Sequence, residues 1–130
     1  MKLFTSKTQK IGAYGEDICV RWLNNNGFRI IERNYTRPVG EIDIIALKDN
    51  TLHFIEVKSV SCENTDTISH QAVYNPAENV TREKIHKCYK TIATYQKEHN
   101  VSYETQFDVY LVYIDQRNIK HKIERIENVF

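Results

Sequence analysis

Two strand-like segments joined by a short turn constrain this chain more than any other part of it. Polar and apolar residues alternate from Glu41 to Ile44 and from Phe54 to Lys58, on the two-residue period of a β-strand. Between them lies Asp49-Asn50, which suits a two-residue turn because both residue types tolerate positive φ. The sequence therefore predicts an antiparallel hairpin closed at Asp49-Asn50.

Counting outward from this turn sets the predicted register. Leu47 faces Leu52, Ile45 faces Phe54, Asp43 faces Glu56, and Glu41 faces Lys58. All eight side chains then share one face, and the opposite face carries Ile42, Ile44, Ala46, His53, Ile55 and Val57. The second face is almost wholly apolar.

The opposed acidic pair is hard to explain by stability. Two carboxylates facing each other repel and destabilise a sheet, so Asp43 opposite Glu56 needs another reason. A divalent cation supplies one, because hard oxygen ligands this close suit Mg²⁺ or Mn²⁺. Lys58, on the same face, adds a cation suited to attack on a phosphodiester. The alternative is a set of solvent-facing charges, with Glu41 paired to Lys58 and no metal.

The motifs, taken in order, resemble a known group of nucleases. Asp43 followed by Glu56-Val57-Lys58 on a paired strand resembles the PD-(D/E)xK nuclease superfamily. The fuller pattern is similar to the YraN-type family of uncharacterised bacterial proteins, which are similar to archaeal Holliday junction resolvases. The matching segments are Gly12-Ala13-Tyr14-Gly15-Glu16, Arg33-Asn34-Tyr35, Gly40-Glu41-Ile42-Asp43, Phe54-Ile55-Glu56-Val57-Lys58, Lys84, Phe107-Asp108-Val109 and Asn128-Val129-Phe130.

Three positions depart from this pattern. Ile42 stands where the superfamily has a proline, a difference that the YraN-type branch shares. Ser59 follows Lys58, and Gln106 precedes Phe-Asp-Val, at places where the family tends to have arginine. The missing arginines bear on contacts to phosphate and leave the metal ligands intact.

The resemblance implies a metal-dependent endonuclease that hydrolyses DNA, with branched or structured DNA as the favoured substrate. By analogy, Mg²⁺ or Mn²⁺ is held by Asp43, Glu56 and the backbone carbonyl of Val57. Glu16 completes the site directly or through water; without the resemblance it is more simply a solvated glutamate on a helix. Lys58 positions the attacking water or stabilises the charged transition state.

Arg33 and Lys84 are the candidate contacts to nucleic acid. For Asp108 a structural role and a role in the site both remain open. A histidine in the position of His53, on the apolar face, is more often a hydrogen-bonded, partly buried residue than a metal ligand. A homodimer on DNA is expected, since two active sites must reach one branched substrate.

Two rival functions remain open. One is a non-catalytic nucleic-acid-binding module with the nuclease fold, which the missing arginines allow. The other is a metal-binding interaction protein unrelated to DNA, which only the near-neutral net charge of +1 favours.

The pattern of elements predicts an α/β fold. A helix ends at Asn24-Asn25-Asn26-Gly27, three strands follow, a second helix begins at Asn75-Pro76, and two more strands complete the chain. This order predicts a mixed β-sheet flanked by helices, and the resemblance implies a restriction-endonuclease-like core. Residues 1–130 are expected to form one domain.

Composition agrees with a cytoplasmic protein. No apolar run approaches the length of a membrane span, and residues 1–10 lack the apolar core of a signal peptide. Cys19, Cys62 and Cys88 are widely spaced and predict free thiols in a reducing compartment. Tyr14, Tyr89 and Tyr113 fall in apolar stripes, which favours packing over base stacking.

Overall fold

The computed structural model describes residues 7–61, 82–115 and 117–129. Its elements are α1 (Lys7–Asn25), β1 (Arg29–Arg37), β2 (Gly40–Lys48), β3 (Thr51–Ser61), α2 (Arg82–His99), β4 (Glu104–Asp115) and β5 (Lys120–Ile126). The predicted order of elements is confirmed. The predicted start of the second helix at Asn75-Pro76 lies outside the described residues.

The five strands form a mixed sheet in the order β1-β2-β3-β4-β5. Strands β3 and β4 are parallel, and the other neighbours are antiparallel. A parallel pair needs a long crossover connection, and α2 lies within it. This confirms the α/β fold and is consistent with a restriction-endonuclease-like core.

The two helices pack on opposite faces of the sheet. The α1 side buries Ile18, Cys19, Leu23, Phe28, Ile44, Ala46, Ile55, Tyr110, Val112 and Ile114. The α2 side buries Tyr35, Ile42, Ile45, Leu52, Phe54, Ile92, Tyr95, Phe107, Val109, Leu111 and Tyr113. Strand β4 is therefore covered on both faces, with even-numbered residues towards α1 and odd-numbered residues towards α2.

The β2–β3 hairpin turns at Asp49-Asn50, as predicted. These residues have φ values of 49° and 64°, and positive φ at both central positions gives a turn whose twist matches the flanking strands. The observed pairs are Lys48↔Thr51, Leu47↔Leu52, Ala46↔His53, Ile45↔Phe54 and Ile44↔Ile55. The predicted register is therefore confirmed near the turn.

The alternation of β2 breaks between Ile42 and Ile44. Ile42 packs in the α2-side core and not, as predicted, on the same face as Ile44. On the neighbouring strand, Asn34 has a φ of 54°, and the residue after it, Tyr35, pairs with Ile42. The pairing of β2 with β3 ends at Ile44↔Ile55, so a prediction that assumes regular alternation assigns the wrong face to Ile42 beyond it.

The packing prediction for the tyrosines is only partly right. Tyr113 is fully buried, whereas Tyr14 and Tyr89 are 44% and 54% exposed. The prediction was wrong for these two because each lies at the rim of a groove. Tyr14 lies beside Ile114 and Ile119, and Tyr89 lines a groove over β4.

Two of the three cysteines lie in the described ranges. Cys19 and Cys88 are free thiols, and Cys62 lies outside the described residues. Among the described helices, none is both long enough and apolar enough to cross a membrane.

Candidate active site

Asp43 lies where β2 separates from β3. Regular pairing ends at Ile44↔Ile55, and the Asp43 Oδ2 atom accepts a 2.8 Å hydrogen bond from the backbone N–H of Val57. A side-chain carboxylate thus satisfies a strand N–H that would otherwise bond to a backbone carbonyl. The predicted Asp43–Glu56 and Glu41–Lys58 pairs lie beyond the end of the ladder and form no part of it.

The surroundings of Asp43 oppose its negative charge. Burial raises the pKa of Asp43 above its usual range, although the hydrogen bond from Val57 counteracts this. The charge of Glu56 raises the pKa of Asp43 further, and the charge of Lys58 lowers it. Glu56 and Lys58 are therefore near enough to act on Asp43 electrostatically. A bound cation would remove this penalty on the ionised carboxylate.

Glu56 and Lys58 are neighbours on the α2-facing side of β3. Their side chains are 42% and 44% exposed, whereas Phe54, two residues earlier, is fully buried. The Lys58 Nζ atom lies 3.2 Å from Glu56 Oε1. Burial, and then the charge of Glu56, raise the pKa of Cys88 on α2. The α2-facing side of β3 therefore changes after Phe54 from a buried aromatic side chain to a half-exposed charged pair beside α2.

Glu16 approaches β3 from the opposite helix. A Cβ atom added to Gly15 would lie 1.8 Å from Ser59 Oγ, so the helix backbone rests directly on the strand. The Glu16 Oε1 atom is buried. Burial raises the pKa of Cys19 to about 12, and the charges of Asp43 and Glu16 contribute. Glu16 and Asp43 therefore share one neighbourhood around Cys19.

The donor set suits a hard divalent cation held by few protein ligands. Within the three described ranges, no group of three His, Cys, Asp or Glu side chains could hold a metal ion together. A metal here would rest on Asp43 and Glu56, with the Val57 carbonyl and water as further ligands and Glu16 acting through water. Two carboxylates fit Mg²⁺, because Mg²⁺ usually keeps several waters and binds through one or two carboxylates and substrate phosphates.

The candidate nucleic-acid contacts lie on the two sides of these carboxylates. Arg33 donates a 2.9 Å hydrogen bond to Asp17, the residue after Glu16 on α1. Lys84 is exposed in the first turn of α2, on the same helix face as Cys88 four residues later. One cationic side chain therefore stands on the α1 side and one on the α2 side.

Asp108 forms a buried structural network away from these groups. Its carboxylate lies 2.7 Å from His53 Nδ1 and accepts hydrogen bonds from Gln106 Nε2 at 2.8 Å and from the Asn128 backbone N–H at 2.9 Å. Gln106, which stands in place of an arginine, therefore orients Asp108. The network joins β3, β4 and the segment after β5.

Two residues shape the site in ways that the sequence did not predict. Ser59 is the packing partner of Gly15, and Asn34 has a positive φ between Arg33 and Tyr35, which pair with Ile44 and Ile42 on either side of Asp43. The Gly12 and Gly15 pair signals a close approach of the α1 backbone, but the sequence does not name what approaches it. Asn34 carries a weaker signal, since Asn tolerates positive φ.

Comparison with known proteins assigns the family. The model described as "Uncharacterised protein family UPF0102" matches residues 15–112, about three quarters of the chain. The chain belongs to the UPF0102 family. The matched range contains Glu16, Asp43, Glu56 and Lys58, so the whole candidate site lies within the family region. The resemblance to YraN-type proteins is confirmed.

Several UPF0102 proteins are similar to this chain over almost its full length. One from Campylobacter lari is 40% identical over 118 residues, which cover 91% of each chain. One from Campylobacter hominis is 41% identical over 124 residues, 95% of this chain and 96% of its own. One from Dichelobacter nodosus is 36% identical over 123 residues, 94% of this chain and 90% of its own.

Proposed function

We propose that this UPF0102 protein is a metal-dependent endonuclease that hydrolyses phosphodiester bonds in DNA, with branched or structured DNA as its substrate. One observation supports this best: Asp43 is held against β3 beside the Glu56–Lys58 pair, at the point where β2 and β3 separate. Two carboxylates and a lysine where the pairing of β2 and β3 ends supply both the ligands for a divalent cation and a charge for the phosphate.

Each residue then has a defined task. The carboxylates of Asp43 and Glu56, with the Val57 carbonyl, would hold Mg²⁺ or Mn²⁺, which when bound polarises the phosphate and neutralises its charge. Lys58, 3.2 Å from Glu56, is stabilised as an ammonium ion and acts as a cation rather than as a base. It orients the attacking water or stabilises the charge that develops on the phosphoryl oxygens. Glu16 orients water from the α1 side.

The reaction is a hydrolysis at phosphorus. The oxygen of water forms a bond to phosphorus while the bond from phosphorus to the leaving sugar oxygen breaks. The leaving oxygen takes up a proton, and the attacking water gives one up to solvent. The products are one DNA end with a phosphate and one with a hydroxyl group.

A non-catalytic nucleic-acid-binding module is the competing function. The observation that favours it is that no three acidic, cysteine or histidine side chains of the described residues form a ready metal cluster. Both functions predict binding to DNA. Only the enzyme predicts turnover that depends on a divalent cation and on Asp43.

A cleavage assay separates the two functions. Wild-type protein and Asp43→Asn are incubated with linear, flapped and four-way DNA in Mg²⁺ or Mn²⁺. Asp49→Asn is the matched control, because it makes the same change in the hairpin turn, where asparagine tolerates positive φ. The nuclease predicts cleavage by wild type and Asp49→Asn, and a loss on the order of 10²–10³-fold in Asp43→Asn. Binding of DNA without cleavage in either metal would favour the module.

A further inference from the structure

A groove with one cationic wall lies between the β1–β2 turn and the first half of α2. It has a volume of about 340 Å³ and is lined by Pro38, Val39, Glu83, His86, Lys87 and Lys90. His86, Lys87 and Lys90 lie three, four and seven positions after Glu83, so the four residues form one stripe along the helix. The groove therefore has a polar, mainly cationic wall on the helix and an apolar wall on the turn.

The two walls are held in a fixed relation. A Cβ atom on Gly40 would lie 2.6 Å from Thr91 Oγ1, so the backbone after the turn rests on α2. Thr91 donates a 2.7 Å hydrogen bond to the Lys87 carbonyl. Before the turn, Arg37 forms a 2.9 Å ion pair with Glu98, near the end of the same helix. The groove is therefore formed without a ligand.

Positive charge is concentrated on this part of α2. From Arg82 to Lys90 the helix carries Arg82, Lys84, Lys87 and Lys90 against Glu83, a net charge of +3, whereas the whole chain carries +1. The three lysines follow one another at intervals of three, so each repels the next across one helical turn. Helix stability does not explain this spacing, whereas binding of a polyanionic ligand would explain it.

The groove adjoins the candidate active site on two elements. Lys87 precedes Cys88, the α2 residue on which the charge of Glu56 acts. Gly40, seated on the helix beside the groove, begins the strand that carries Asp43 three residues later. A strand of nucleic acid lying in the groove would therefore continue towards the carboxylates.

We propose that this groove binds the sugar-phosphate backbone of the DNA strand that enters the active site. Lys87 and Lys90 contact neighbouring phosphates, and Pro38 and Val39 pack against the sugars. The inference rests on the proposed function, because the cleaved DNA is the polyanion that occupies the groove.

The test measures how DNA binding depends on salt. Anisotropy of a labelled four-way DNA is followed at several salt concentrations in EDTA, so that cleavage does not interfere. Each lysine that contacts a phosphate contributes about 0.9 to the slope of log K against log salt. Lys87→Ala and Lys90→Ala should therefore each reduce the slope by about one, and the double variant by about two. In cleavage with Mg²⁺, both variants should raise KM and leave kcat unchanged.

Lys97→Ala is the matched control. Lys97 is exposed on the same helix, two turns beyond Lys90 and therefore on the same side, but it does not line the groove. Its slope should match that of wild type. Circular dichroism and the unfolding midpoint would verify that all four variants fold.

The outcomes separate this proposal from the nuclease proposal. If the slopes of Lys87→Ala and Lys90→Ala are unchanged and the wild type binds and cleaves DNA, the proposal that the groove binds DNA is overturned and the nuclease proposal stands. An equal loss in Lys97→Ala would also overturn it, because the contact would then be a diffuse cationic surface. If the slopes fall as expected but no DNA is cleaved, DNA binding by the groove is supported and the nuclease proposal is rejected. A wild type that does not bind DNA would reject both.

Discussion

The carboxylate of Asp43 is hydrogen-bonded to the backbone N–H of Val57, the residue between Glu56 and Lys58. This 2.8 Å contact ties the acidic residue of β2 to the middle of the Glu-x-Lys segment of β3. It forms just beyond the last regular pair of the hairpin, so the end of strand pairing and the candidate site coincide.

Metal binding should depend on both carboxylates. Asp43→Asn and Glu56→Gln each remove one of two anionic ligands, so each should weaken binding of Mn²⁺ by at least about a hundredfold. Isothermal titration calorimetry measures this directly, with Asp49→Asn as a control that keeps wild-type affinity. If both site variants bind Mn²⁺ as tightly as the wild type, the proposal of a metal site at Asp43 and Glu56 is wrong.

Loss of Lys58 should separate chemistry from metal binding. Lys58→Ala should keep the affinity for Mn²⁺ within about threefold but reduce cleavage on the order of 10²-fold, because the ammonium group acts on transition-state charge. Lys58→Arg should recover part of the rate. If Lys58→Ala loses metal binding and folding together, the lysine is a structural partner of its neighbouring carboxylates.

The two glycines of α1 should respond oppositely to alanine. Gly15→Ala places a methyl group against Ser59 and should lower the free energy of unfolding by about 1–3 kcal/mol. A Cβ at Gly12 meets nothing within 4 Å, so Gly12→Ala should raise it by up to about 1 kcal/mol. Urea denaturation measures both.

A second change checks the cause of the Gly15 effect. Ser59→Gly removes the two Ser59 atoms that would clash with an alanine at position 15, so it should restore stability in the Gly15→Ala background. Equal losses for the two glycine variants would show that close packing on β3 is unimportant.

The Asp108 network should make stability sensitive to acid. Burial alone would raise the pKa of Asp108, but hydrogen bonds from His53, Asn128 and Gln106 outweigh it and lower the pKa below the ordinary 3.8. Because the folded-state pKa is the lower one, the stabilisation is complete above the unfolded-state value and is lost as pH falls through the folded-state value. The free energy of unfolding should therefore fall with acid below about pH 4.

Asp108→Ala tests this assignment. It leaves the donors of His53, Gln106 and Asn128 without their acceptor, and the His53 donor is buried, so the change should cost about 2–4 kcal/mol at pH 7. Urea unfolding between pH 7 and pH 2.5 should show less loss with acid in the variant than in wild type. An identical acid dependence in both proteins would assign the effect to other carboxylates.

Binding to a junction should bring two chains together. Cleavage of a four-way DNA on two strands requires two sites, and a two-fold dimer places two copies of the Asp43–Glu56 site on one substrate. Analytical ultracentrifugation with and without a four-way junction should show two chains per junction, with tighter binding to branched than to linear duplex. A protein that stays monomeric on DNA and shows no preference for branches would exclude junction resolution while leaving nuclease chemistry open.

In the β2–β3 hairpin, turn chemistry and strand alternation predicted the register over only part of its length. Near the turn, Asp49-Asn50 and the alternating pattern predicted each observed pair as far as Ile44↔Ile55. Beyond that point the predicted register was wrong, because β2 no longer pairs with β3 and Asp43 accepts a hydrogen bond from the Val57 backbone N–H instead. The error therefore fell at the candidate site itself.

The sequence by itself determined the order of elements, the hairpin turn and the residue types of the candidate site, because hydrophobic period and turn chemistry are properties of adjacent residues. Only the tertiary structure decided that Gly15 rests on Ser59, that Asp43 reaches Val57, and that Lys87 and Lys90 line a groove with the β1–β2 turn. These contacts join residues far apart in the chain. Their distances depend on how helices and strands pack, which a periodic pattern does not encode.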